Sequence, residues 1–275
     1  MNIIIESGAT KSRSIGYNDC STFFNYKTTG INATYATKEA IIAVFQDIIT
    51  KNNIVVAEVE HIRYYGAGCF NPTSAEKIKE VLNSLFPYAT IEVYSDLYAA
   101  CHALCKNEKG FVGILGTGAA SCFYDGKQII DKAPSLGWLL GDEGSGVYIG
   151  KMFVKEYLTN KLETDIAQDF EKTFAISKQK VLEKIYQESY SRTFFASIPV
   201  FLQKHIKNTQ IKTIIEHSFQ EFFTQQIDYY GKFSYSWFFC GSIAWYFQDI
   251  LIATAGRNNL KIERIIQECV SDLLL

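Results

Sequence analysis

Residues 111–131 read FVGILGTGAASCFYDGKQIID. Phe111 to Leu115 is an apolar run of strand length without polar alternation, the pattern of a strand covered on both faces. Gly116-Thr117-Gly118 is a tight turn. Ser121 to Tyr124 and Gln128 to Asp131 read as two further strands, and Asp125-Gly126 between them is a hairpin signal. The same plan opens the chain. Asn2 to Glu6 is a short apolar strand, Ser7-Gly8-Ala9-Thr10-Lys11-Ser12 a polar turn, and Arg13 to Asn18 and Phe23 to Thr28 are strands joined at Asn18-Asp19. This is a repeat of architecture rather than of residues.

Between the two copies, strands and helices alternate. Thr37 is placed to cap a helix whose inner face carries Ala40, Ile41, Val44, Phe45 and Ile48. Glu60 to Tyr65 reads as a strand that stops at Gly66-Ala67-Gly68, and Thr73 to Leu85 as a helix. Thr90 to Tyr94 is a strand ending at Ser95-Asp96, and Leu97 to Cys105 is helical. After the second copy, 146–231 is mostly helical and reads as inserted substrate or interface surface, and the many Phe and Tyr of 160–230 suit a core or a dimer face. Trp237 to Cys240 is a late strand, followed by Gly241-Ser242-Ile243-Ala244 and a helix to about Ala255. The expectation is an α/β fold with lobes at 1–106 and 107–275, the last helix packing back on the first lobe.

Composition narrows the function. The 275 residues are 48% apolar and 20% charged, with a net charge of -2, so no basic stripe speaks for a nucleic-acid partner. The longest apolar runs, such as Ile3 to Ile5 and Leu273 to Leu275, fall far short of the roughly 20 residues of a membrane span. MNIIIE is a strand running into a polar turn and lacks a signal-peptide layout, so a cytoplasmic protein is expected. Seven cysteines, an odd number, lie mostly in apolar segments and read as reduced, buried, structural thiols. Cys101 and Cys105 have helical spacing but no second pair of ligands to complete a metal site.

Four stretches carry polar chemistry. The turns Ser7–Ser12 and Gly116–Ser121 offer backbone N–H groups that a phosphate oxygen can approach, with Thr10, Lys11 and Thr117 adding donors. Neither fits the Walker pattern or opens a helix as a dinucleotide fingerprint does, and each by itself is equally an ordinary tight hairpin. Asp96 stands at a strand end, where ligands collect in such sheets, and would also serve as a helix cap. Gly141-Asp142-Glu143-Gly144-Ser145-Gly146 puts two adjacent carboxylates among glycines. They suit Mg²⁺ through water or sugar hydroxyls directly, or a capped, solvated loop. Gly241-Ser242 begins a helix after a strand, a favourable place for a polar ligand and also a common junction.

In this order, IESGATKS (5–12), YYGAGC (64–69), VYSDLYAA (93–100), GILGTGAASCFYDG (113–126), PSLGWLLGDEGSG (134–146) and FFCGSIAWYF (238–247) resemble the BadF/BadG/BcrA/BcrD-type ATPase branch of the actin and sugar-kinase superfamily, close to N-acetylglucosamine kinases. The resemblance implies two actin-like (ribonuclease H-like) lobes with a cleft between them, and ATP-dependent phosphorylation of a small amino sugar with Mg²⁺. It implies phosphate contacts at Gly8, Thr10, Lys11, Gly116, Thr117 and Gly118, and an adenosine segment at Gly241 and Ser242. Asp96 matches the carboxylate that accepts the sugar hydroxyl proton. Asn32, Asp142, Glu143 and Gly144 match substrate-side positions. Glu6 stands where such kinases usually carry the aspartate that holds Mg²⁺, one methylene longer. A nucleotide-binding regulator without transfer activity is the alternative. A cluster-bearing dehydratase activator and a dinucleotide oxidoreductase fit less well, for want of paired exposed cysteines and of a glycine turn that opens a helix.

Overall fold

The computed structural model describes residues 1–186, 188–231 and 234–274, with the side chains of 188–190 left aside. The chain forms two compact units, Met1–Asn107 with Glu268–Leu275, and Glu108–Gln267.

The first unit contains β1 (Asn2–Ser7), β2 (Lys11–Tyr17), β3 (Thr22–Thr29), α1 (Lys38–Lys51), β4 (His61–Gly66), α2 (Pro72–Leu85), β5 (Thr90–Ser95) and α3 (Asp96–Leu104). Its sheet runs β3-β2-β1-β4-β5, with β1, β4 and β5 parallel and β2 and β3 antiparallel. Thr37 caps α1, accepting the Ala40 N–H at 3.3 Å, and Asn71 caps α2 ahead of Pro72, both as their side-chain chemistry dictates. Ile3, Ile5, Ile62 and Tyr64 form one buried cluster with Ile41, Phe45, Ile78 and Leu82 of α1 and α2. Helix α3 packs on β1, β4 and β5, and Ile4 is fully buried. Two-sided burial is why β1 shows no alternation.

The second unit contains β6 (Gly110–Leu115), β7 (Ala119–Tyr124), β8 (Ile129–Lys132), α4 (Gly137–Leu140), α5 (Gly146–Leu158), α6 (Thr164–Phe174), α7 (Lys178–Tyr186), α8 (Glu188–Lys204), α9 (Thr209–Tyr230), β9 (Trp237–Cys240), α10 (Ser242–Tyr246), α11 (Gln248–Arg257) and β10 (Ile262–Ile266). Its sheet, β8-β7-β6-β9-β10, repeats the first strand for strand, with the same parallel and antiparallel pairs. Phe153, Phe170, Phe201, Phe219, Phe223 and Phe239 lie in one core, so those aromatics of the helical stretch serve packing.

Two details differ from expectation. The segment belonging with the first unit is 268–275, and its helical part is a 3-10 turn at Asp272–Leu274 on α3 rather than a final α-helix. The predicted helix after Ala244 is two helices, α10 and α11, broken at Phe247.

Candidate active site

In the first unit the parallel ladders set Ser7 beside Gly66 and Gly66 beside Ser95. The loops after β1, β4 and β5 therefore leave from one row at the carboxyl edge, the ligand-gathering edge of such sheets. The first glycine turn closes with the Gly8 N–H donating to Lys11 O at 2.9 Å, while Thr10 and Lys11 are exposed. The Ser7 hydroxyl accepts the Ile31 N–H at 2.8 Å. A Cβ on Gly30 would lie 2.2 Å from Gly8 O and 2.5 Å from Lys11 N, so the Gly30-Ile31-Asn32 stretch lies directly against this turn. Asn32 Oδ1 accepts the Thr34 N–H at 3.0 Å and faces Gly68, where an added Cβ would stand 2.6 Å away.

Asp96 is the first residue of α3, and the cap position belongs to Ser95, whose side chain makes no capping bond. The half-buried Asp96 accepts the Leu97 N–H at 3.0 Å, satisfying one orphan amide of the helix start. Its charge also reaches Cys69, which burial first and then Asp96 push up to about 12.

Glu6 is held differently from the expectation. Its Oε2 accepts the N–H groups of Cys269 at 3.0 Å and Val270 at 2.7 Å. Burial, against those two hydrogen bonds, pushes its carboxyl up to about 7, and Glu268 adds to the rise. A Mg²⁺ ligand must be ionised and placed for near-octahedral geometry. A carboxylate pinned by two amides and half-protonated near neutrality does not fit that role.

The second unit brings three predicted stretches together. The second turn closes with the Gly116 N–H donating to Gly118 O at 3.0 Å, and the Gly146 and Val147 N–H groups at the start of α5 donate to Gly116 O at 2.8 Å and Thr117 O at 3.2 Å. Ser145 caps α5, accepting the Tyr148 N–H at 3.2 Å. Asp142 adopts a left-handed backbone, φ 62°, and its carboxylate accepts the Ala119 N–H. An added Cβ on Gly118 would stand 2.8 Å from Asp142 Oδ2. Burial raises the Asp142 carboxyl, opposed by Ala119, Arg192 and Lys151 and assisted by Glu143. Gly144, at φ 79°, donates its N–H to Ser218 Oγ at 3.2 Å.

Gly241 adopts φ 117°, and a Cβ there would meet Leu115 O at 2.3 Å, so only glycine brings this backbone onto the second turn. Helix α10 has five residues, too short for the aligned dipole expected at Gly241-Ser242. Its contribution is close backbone approach. Gly116, by contrast, has nothing within 4 Å of its Cβ position, an open face beside a turn that a phosphate fits. Of the seven cysteines six are buried and Cys20 is exposed, so the expectation of buried thiols fails at that one position.

Sequence reading missed what α9 contributes. Gln225 and Gln226 line a recess with Ala119, Ser121, Asp142 and Glu143, although they lie far downstream in a helix without any local motif.

No family model and no curated protein matches the sequence. Solved structures do match. The chain is similar to a crystal structure of a provisionally named N-acetylglucosamine kinase from Porphyromonas gingivalis, with TM-score 0.94, 26% identity, and coverage of 100% of this chain and 97% of that one. It is similar to another so named from Chromobacterium violaceum, with TM-score 0.77, 14% identity, and coverage of 99% and 97%. A ROK hexokinase from Thermus thermophilus shares the fold at TM-score 0.52 and 10% identity over 96% and 92% of the two chains.

Proposed function

As the chain is a member of the actin-like sugar-kinase superfamily, we propose that it transfers the terminal phosphoryl group of ATP to a hydroxyl of a small amino sugar such as N-acetylglucosamine. One observation carries this reading. Ser7, Gly66 and Ser95 stand in register, so the first glycine turn, the Gly66–Cys69 loop and Asp96 issue from one sheet edge. The names of two similar structures point to the same substrate class.

In this reading the turns at Gly8, Thr10 and Lys11 and at Gly116, Thr117 and Gly118 are phosphate-binding, and the Gly241-Ser242 backbone takes the adenosine. Asn32, Asp142, Glu143 and Gly144 are substrate-binding positions. Asp96 orients the acceptor hydroxyl and takes its proton as the phosphoryl group arrives. Transfer of this kind is mostly positioning and charge stabilisation, which suits a site built from rigid turns. Mg²⁺ supplies charge neutralisation on the phosphates when it accompanies ATP. Glu6 does not fit as its ligand, and no step runs through it.

That same engagement of Glu6 favours a second reading, a nucleotide-binding regulator of this fold that transfers nothing. Sugar-dependent ADP release separates the two. A coupled assay over N-acetylglucosamine, N-acetylmannosamine, glucosamine and glucose is expected to give ADP with at least one amino sugar. ATP binding without ADP release from any of them supports the regulator instead.

A further inference from the structure

Between β8 and α5 the chain passes through α4 and the Gly141–Ser145 loop in an unusual backbone. Gly137, Asp142 and Gly144 are left-handed, at φ 72°, 62° and 79°. Glycine adopts this region freely, whereas aspartate does so against its Cβ. Two bonds stay inside the segment, from the Gly141 N–H to Gly137 O at 2.8 Å and from the Ser145 N–H to Asp142 O at 3.0 Å. The loop is fastened outward where the Gly144 N–H meets Ser218 Oγ. The backbone of α4 needs a fastening of its own.

Lys151 provides it. The residue stands in the second turn of α5, next to Gly150, where an added Cβ would meet Phe195 O of α8 at 2.2 Å. Its backbone is therefore seated directly on a neighbouring helix. From there Nζ donates to Trp138 O in α4 at 2.5 Å and lies 5.1 Å from the centre of the Tyr148 ring. The Trp138 ring stands beside that of Phe195, with 6.4 Å between centres.

The same ammonium faces the two acids of the loop. Burial lowers the Lys151 pKa, opposed by Asp142 and Glu143. Glu143 is only 9% exposed, and among the described residues its carboxylate has neither a hydrogen bond nor an ion pair. A buried carboxylate calls for a compensating charge. Lys151 supplies one, and Arg192 acts with it on Asp142.

Resting on the kinase reading above, in which Asp142 and Glu143 are substrate-binding positions, we propose that Lys151 is the positioning residue of this segment. Its ammonium ties α4 to α5 through the Trp138 carbonyl and offsets the two carboxylates that follow, so both hold one arrangement before a sugar arrives. In this role Lys151 contacts neither sugar nor ATP, and its effect is preorganisation.

Two variants and two measurements on the full chain test this. Methionine keeps the length of the side chain without donor or charge, and arginine keeps both. Hydrogen exchange without ligand reads the segment at the amides of Gly141, Gly144 and Ser145, each bonded in the structure. Lys151→Met is expected to speed their exchange at least about tenfold with β6 and β9 unchanged, and Lys151→Arg to restore the wild-type rate. In the coupled assay with N-acetylglucosamine, Lys151→Met is expected to raise the sugar KM about ten- to a hundredfold, the worth of a hydrogen bond from a charged group. Bound sugar reorders the loop, so kcat should stay within about threefold and the KM for ATP should not move. Exchange that Lys151→Met leaves at the wild-type rate overturns the proposal. So does loss of protection in β6 and β9 as well, an unchanged sugar KM, or a fall in kcat in place of the rise in KM. A wild type that releases no ADP with any amino sugar defeats the kinase reading. Local fast exchange in Lys151→Met, restored by Lys151→Arg, then still bears out the role of Lys151 in the loop.

Discussion

Glu6 Oε2 accepts the Val270 N–H at 2.7 Å, across 264 positions of sequence. With the neighbouring bond from Cys269, this fastens 268–274 to the end of β1, a strand buried on both faces. Nearby, Arg13 and Lys27 pair with Glu268, so the same segment is held by charges at its start and by a carboxylate in its middle. One carboxylate oxygen thus serves two successive amides of that segment.

The fastening carries a pH dependence with a defined sign. Burial pushes the Glu6 carboxyl from 4.5 up to about 7, so between those values the folded state holds a proton that the unfolded state has released. Stability therefore falls as pH rises through this window. The contribution is on the order of 3 kcal/mol. Glu6→Gln keeps an acceptor for the two amides and removes the titration. Denaturant melts at pH 5 and pH 8 are expected to show a stability loss in wild type that shrinks by most of that amount in the variant. An identical difference in both proteins refutes the assignment.

Gly30 and Gly116 separate packing from ligand approach. Alanine at Gly30 drives its Cβ into backbone atoms of Gly8 and Lys11, which cannot rotate away as a side chain would. Gly30→Ala is expected to cost about 3 kcal/mol by overpacking, read as a lowered urea midpoint. Gly116→Ala meets nothing within 4 Å and is expected to keep the wild-type midpoint. Its methyl projects into the open face beside the turn, and ATP affinity is expected to fall about tenfold. Unchanged ATP affinity removes Gly116 from the phosphate site.

The repeated strand plan was legible because turn chemistry and two-sided burial both leave marks on sequence. Strands β1, β6 and β9 read as plain apolar runs, and Asp125-Gly126 marks its hairpin. β10 was missed. Glu263 and Arg264 interrupt its apolar residues, as an edge strand with one neighbour allows. The break between α10 and α11 at Phe247 has no glycine or proline to announce it. At the site, the glycine turns, Asp96 and the Gly141–Ser145 loop were visible as local motifs. Gln226 and Val270 were not, because what they do depends on partners more than a hundred residues away.

Cys20 sits in the exposed turn between β2 and β3, while the other six thiols are buried. Reactivity requires access as well as thiolate. A native-state thiol titration with an aromatic disulfide reagent is expected to give one fast equivalent, with the remaining six released only on unfolding. Cys20→Ser should abolish the fast phase. Two or more fast equivalents in the native protein contradict this arrangement.

Asp96 gives the sharpest test of chemistry, because its structural and catalytic roles respond differently to one atom. Its Oδ1 accepts the Leu97 N–H at 3.0 Å, and an asparagine carbonyl oxygen makes the same bond. Asp96→Asn removes a favourable charge at the start of α3, worth about 0.5 kcal/mol, so the fold and ATP binding are expected to survive. A carboxamide takes no proton from a sugar hydroxyl, and a positioned base contributes about 10²- to 10⁴-fold. Sugar-dependent turnover should therefore drop at least about a hundredfold, with the ATP dissociation constant within about twofold of wild type. Equal loss of ATP affinity and turnover would point to a collapsed helix start. Wild-type turnover would mean that another group receives the proton, since the substituted carboxamide has no basic oxygen to offer it.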